Sequence, residues 1–163
     1  MRKFIYTFIA VLTIGLSSKT LAHCEIPCGI YDDEMRIHMI QEHILTIEKS
    51  MKKIKELSAQ AKNPQVYNQL VRWIVNKEEH AKKLQYIVWQ YFLTQRVKPV
   101  SPDKHEEYEK YLKKLELLHK LSFYAMKTKQ TVDFKYIDLL RKTLDEFEKV
   151  YFGKKHIEEH HHH

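Results

Sequence analysis

Apolar side chains at Ile37, Ile40, Ile44, Ile47, Met51 and Ile54 are separated by alternating steps of three and four, with Lys and Glu between them. That is the seam of a helix packed on one face. Asn63-Pro64 supplies an N-cap and a first-turn proline for a second helix. Its expected seam is Tyr67, Leu70, Ile74, Ala81, Leu84, Val88 and Tyr91, interrupted by Lys77. The stretch Lys98 to Pro102 ends that helix, and Ser101-Pro102 is expected to start a third with Tyr108, Leu112, Leu115, Leu118 and Ser122 inward. Thr131 is expected to cap a fourth, whose seam is Ile137, Leu140, Leu144, Phe147 and Tyr151. No stretch alternates with period two. Short connections make neighbouring helices antiparallel, so the expected fold is all-α: an up-down four-helix bundle over residues 32–153.

Residues 1–22 have a different pattern. Met1-Arg2-Lys3 is basic, Phe4 to Leu16 is almost wholly apolar, and a polar stretch ends on Ala22. The apolar run is shorter than the ~20 residues of a spanning helix, and the layout is that of a cleaved secretory signal peptide. The expected destination is therefore the periplasm or the extracellular space, with no stable membrane association once the leader is removed.

Composition narrows the function. Only 3 Gly and 4 Pro in 163 residues exclude collagen-like and propeller folds, and 30% charged residues exclude a multi-span membrane protein. The formal charge is +7. Arg2, Lys3 and Lys19 leave with the leader, and what remains has no Lys/Arg block of the kind that lines a nucleic-acid groove. A ferritin-like di-iron bundle needs two Glu-x-x-His motifs, and outside the tail only Glu116 to His119 provides one. Residues 154–163, ending in His160 to His163, are set apart as a charged tail or tag.

The candidate chemistry lies in residues 23–31, His-Cys-Glu-Ile-Pro-Cys-Gly-Ile-Tyr, which hold both cysteines of the chain. Cleavage after Ala22 would free the amine of His23. That amine, the backbone nitrogen of Cys24 and the Cys24 thiolate would close two five-membered chelate rings, and Cys28 could return a second thiolate. A planar N₂S₂ set suits Ni(II) or Cu(II) rather than tetrahedral Zn(II), and two thiolates would reduce Cu(II). Two cysteines four apart in an exported chain equally suit a disulfide. Two other readings therefore stand beside an enzyme: an exported nickel- or copper-binding bundle without catalysis, and a structural bundle with a Cys24–Cys28 disulfide.

His23, Cys24, Pro27, Cys28, Gly29 and Tyr31 together resemble the nickel hook of nickel-containing superoxide dismutases. Trp89 with Tyr91-Phe92 is similar to an aromatic cluster of that family. The resemblance implies a four-helix bundle with one nickel per subunit, a homohexamer, and conversion of two superoxide anions and two protons to dioxygen and hydrogen peroxide by Ni(II)/Ni(III) cycling. It further implies that His23, Cys24 and Cys28 ligate nickel, with the His23 imidazole axial, and that Tyr31 stands at the mouth of the site. In the family a carboxylate early in the first helix and an arginine in the second steady the axial imidazole. No arginine stands at the matching place here. His38 or Glu42 from the first helix and Glu79 or His80 from the second are the candidates for that task.

Overall fold

The computed structural model describes residues 33–60 and 63–153. Helix α1 spans Asp33–Ser58, α2 Pro64–Tyr86, α3 His105–Gln130 and α4 Lys135–Phe152, with a π-helical segment, Ile87–Arg96, continuing α2. No strand occurs among the described residues. α1 packs on α2, α2 on α3, α3 on α4, and α4 closes on α1. This is the expected all-α up-down four-helix bundle.

The seam of α1 is as the spacing predicts, with Ile37, Ile40, Ile44, Ile47, Met51 and Ile54 all buried. The α4 seam also holds: Ile137, Leu140, Leu144 and Phe147 are buried, and Tyr151 packs against them. Burying an aliphatic or aromatic side chain contributes about 1.5–3 kcal/mol, so these two stripes are a large part of the driving force. Asn63 caps α2 as expected, its Oδ1 accepting from the Val66 N–H at 3.0 Å. Gly153, at φ 87°, closes α4 and donates its N–H to the Lys149 carbonyl.

The inward faces of α2 and α3 differ from expectation. On α2, Tyr67 and Ile74 are exposed, whereas Lys77, expected to interrupt the seam, is 5% exposed and lies within it. Its Nζ donates to the carbonyls of Lys129 (2.9 Å) and Thr131 (3.4 Å), where α3 ends. An ammonium there satisfies C-terminal carbonyls and opposes the negative end of the helix dipole. Because α3 ends level with Lys77, the turns of α2 before it lie past the end of α3 and leave Tyr67, Val71 and Ile74 on the surface. On α3 the buried residues are Leu117, Leu118, Leu121, Ala125 and Thr128, while Leu112 is exposed and Ser122 is only partly covered. Leucines occur on more than one side of this helix, so spacing alone admits two faces. Contact with α2 and α4 selects one.

Two helix starts also shift. α3 begins at His105 rather than directly after Ser101-Pro102, because Ser101 to Lys104 forms a turn closed by the Lys104 N–H on the Ser101 carbonyl. Thr131 terminates α3, and it is the Asp133 side chain that accepts from the Lys135 N–H at the start of α4.

Replacing Lys77 by Met keeps the aliphatic stem but orphans two carbonyls at the α3 terminus. Urea unfolding should register a loss of about 1–3 kcal/mol, against less than ~0.5 kcal/mol for Lys52→Met on the exposed face of α1.

Candidate metal centre and its root in the bundle

Residues 23–31, with His23, Cys24, Cys28 and Tyr31, lie outside the described residues, as do residues 1–22 and 154–163. The described residues begin at Asp33, two positions beyond this segment, and show the platform that follows it in the chain. Among the described residues no group of three or more His, Cys, Asp or Glu side chains could hold a metal ion.

Asp33 is the centre of that platform. Its Oδ1 accepts from the Tyr91 hydroxyl (2.6 Å) and from Arg96 Nε (2.8 Å). Its Oδ2 accepts from the Tyr151 hydroxyl (2.7 Å) and from Arg96 Nη2 (2.9 Å). One carboxylate thus ties the start of α1 to the end of the π-helical segment and to the last turn of α4. The bidentate guanidinium fixes orientation as well as distance. Burial alone would raise the Asp33 carboxyl, but hydrogen bonds from Arg96, Tyr91 and Tyr151 outweigh it and hold its pKa below the usual value. The partners move the other way: burial and then the bond to Asp33 push Tyr91 up to about 12, and they raise Tyr151 as well.

The π-helix makes this convergence possible. Its i→i−5 pattern is carried by the Val97 N–H on the Phe92 carbonyl (2.8 Å), and the side chains of Thr94 and Gln95 bond the carbonyls five residues back. Residues five apart then share a face, whereas in an α-helix at 3.6 residues per turn they diverge by about 140°. Tyr91 and Arg96 are five apart, and the Arg96 guanidinium lies 5.7 Å from the Tyr91 ring centre. Arg36 from α1 sits 4.9 Å from the centre of the same ring. Beneath them Phe92, Phe147 and Tyr151 pack at centroid distances of 5.0–5.4 Å. The sequence cluster Trp89-Tyr91-Phe92 is therefore divided: Tyr91 and Phe92 are buried, and Trp89 is half-exposed on the outside.

The candidates for steadying an axial imidazole separate in the same way. His38 is paired with Gln41 on its own helix (3.2 Å). His80 crosses the α1–α2 seam to His43, with 3.1 Å between their Nδ1 atoms and the rings edge to face. One imidazole must donate and the other accept, so the pair requires complementary tautomers and no extra proton. Burial, then His80 and Lys83, lowers His43 to about 4, with Glu42 opposing. Burial and Lys83 also lower His80, against Glu42 and Glu79. Glu42 and Glu79 thus lie within electrostatic range of the pair. No arginine from the body of α2 joins this group; the arginine that meets a first-helix carboxylate is Arg96, at the far end of the π-helical continuation. Asp33, Arg96 and His43 were not among the residues singled out from the sequence. An acid in the first turn of a helix was the one available signal, and it is common to most helices.

Against this geometry, the chain matches the family described as nickel-containing superoxide dismutase over residues 18–155. No curated protein and no solved structure matches it. The match spans most of the chain and includes residues 23–31, so the chain belongs to the nickel-containing superoxide dismutases. It is an oxidoreductase whose cofactor is nickel and whose substrate is superoxide.

Asp33→Asn should destabilise the fold by about 2 kcal/mol in chemical denaturation, because bonds to a charged acceptor are worth about 1.5–3 kcal/mol each and Asn retains some of them. Tyr151→Phe should lose about 1 kcal/mol. The histidine pair sets a pH window. Its folded pKa values lie below the unfolded value of 6.5, so its contribution is complete above pH 6.5 and is lost as pH falls from there towards about 4. A His43→Leu/His80→Leu double variant should flatten the stability–pH curve across that interval.

Proposed function

We propose that nickel is held at the amino end of the processed chain, by the amine and imidazole of His23, the backbone nitrogen of Cys24 and the thiolates of Cys24 and Cys28. The observation that carries this reading is the donor set itself. Both cysteines of the chain stand in residues 23–31, directly after a leader-type segment, within the stretch that matches the family. Thiolates and a deprotonated amide are the donors that bring the +2 and +3 states of nickel within reach of each other, and one-electron change is the chemistry nickel supplies when bound. The residues of the chain do the rest. Pro27 and Gly29 would bend the segment so that the Cys28 thiolate could reach the same ion. Tyr31, three residues after Cys28, would serve to orient a small anion or water beside the metal and to limit what enters. Cleavage after Ala22 converts an amide into an amine, which couples export to the periplasm or extracellular space with creation of the site.

The bundle contributes a fixed point of attachment. With Asp33 bound to two other helical elements, the start of α1, which follows residues 23–31 in the chain, is fixed at one end of the fold. Self-association, to a hexamer as the family resemblance implies, has a candidate surface on α2 and its continuation, where Tyr67, Val71, Ile74, Val75, Tyr86 and Trp89 are all exposed. An apolar face of this kind is usually covered by a partner.

Cys24→Ser or Cys28→Ser should abolish stoichiometric nickel binding and superoxide removal in the processed protein. Adding one residue before His23 should be as damaging, because it turns the amine back into an amide. Metal analysis with a superoxide assay on such an extended chain is the deciding experiment: full nickel content and activity would overturn the proposed ligand set.

A further inference from the structure

Behind the Asp33 cluster lies a cavity of about 240 Å³ between the loop that leaves the π-helical segment and one face of α3. Its walls carry four cations, Arg96, Lys98, Lys110 and Lys114, against one acid, Glu107, with the Tyr111 phenol among them. The charges are unevenly balanced. Arg96 is matched by Asp33, Lys110 by Glu106 at 2.6 Å, and Glu107 is engaged by Lys104 at 3.6 Å. Lys98 and Lys114 meet no carboxylate among the described residues.

Lys114 carries the argument. Its stem is half-buried, and its ammonium lies 5.1 Å from the centre of the Tyr151 ring, which is itself held by Asp33. Lys110 is one turn away on the same face of α3, a like-charge spacing that disfavours the Lys114 ion, whereas Glu106 holds Lys110 charged. Burial and that neighbour lower the pKa of Lys114. A partly desolvated ammonium, beside a second cation and facing an open cavity, is stabilised most by an anion in that cavity. The site is also largely preformed: Asp33 fixes the Arg96 wall, and helix α3 fixes Lys110, Tyr111 and Lys114.

We propose that this cavity is a binding site for a small inorganic oxoanion of the phosphate or sulfate type. Lys98 and Lys114 supply the uncompensated charge, Lys110 a further N–H donor beside its bond to Glu106, and the Tyr111 hydroxyl a neutral donor. Three lysines and a phenol suit an anion with several equivalent oxygens better than a halide, which offers one centre. The site is lined wholly by residues 96–114, and its assignment does not depend on the ligand set of residues 23–31. It shares Arg96 with the platform beneath that segment, so anion binding loads the guanidinium that positions Asp33.

The test is calorimetric titration of inorganic phosphate into the purified nickel-loaded protein at constant ionic strength, with chloride as the balancing salt. One saturable site per chain is expected, with sulfate competing. Lys114→Met preserves the stem over Tyr151 and should weaken phosphate about tenfold, the effect of losing one direct charge contact of about 1.4 kcal/mol. Lys98→Met should weaken it in the same direction. Lys127→Met is the control, since it removes another lysine of α3 that lies over an aromatic ring, Phe123, and should leave binding within about twofold, as expected of a charge more than a Debye length away. Unsaturable binding, an unchanged affinity in Lys114→Met, or equal weakening by Lys127→Met would each overturn the proposal, the last by showing attraction to the basic surface at large.

Discussion

The carboxylate of Asp33 receives two phenols and both near nitrogens of a guanidinium, and the working end of the bundle is organised around it. Helices packed through apolar seams can slide or rotate by small amounts at modest cost, because dispersion and burial are not directional. A charged acceptor with four short bonds to two other elements removes that freedom at one end. This is the end from which residues 23–31 depart. The nickel site proposed for that segment would gain from such a fixed root, since a ligand set whose attachment wanders cannot hold one geometry around an ion.

The π-helical stretch follows from the same requirement. Tyr91 and Arg96 could not both reach one carboxylate from an α-helix, because five residues would turn them well away from each other. Widening the helix places them in line and still buries Ile87, Val88, Tyr91 and Phe92 in the core. It also makes Thr94 and Gln95 bond backbone carbonyls with their side chains, a further satisfaction of polar groups that a wider helix allows. Such a segment is uncommon, and here it delivers Tyr91 and Arg96 to the Asp33 carboxylate.

Elsewhere, polar groups within the seams set the relative heights of the helices. Lys77 reads the end of α3 through two carbonyls, and His80 reads α1 through His43. Each is satisfied at one longitudinal offset only, so a shift by a turn would leave a buried donor or acceptor without a partner. Apolar side chains supply most of the energy of association; these few polar ones select the register. The cationic cavity beside Arg96 shows the opposite condition, charge gathered without a full complement of acids.

The class of fold was legible from apolar spacing, and α1 and α4 were legible residue by residue, because each carries one unambiguous stripe. The donors proposed for nickel could be picked out in the sequence for a different reason: they are adjacent in the chain, and short chelate rings depend on covalent connectivity rather than on folding. Membership in the nickel-containing superoxide dismutases follows the same local pattern. What spacing could not supply was the inward face of α3, where leucines admit two choices, and the burial of Lys77, which depends on where another helix ends. The Asp33–Tyr91–Arg96–Tyr151 cluster and the His43–His80 pair join residues far apart in sequence, the first through a change of helical pitch that no residue announces. Local order along the chain determined the helices and the family pattern; only the packing of helix against helix decided which polar groups meet, because that depends on offsets and faces that each helix by itself leaves free.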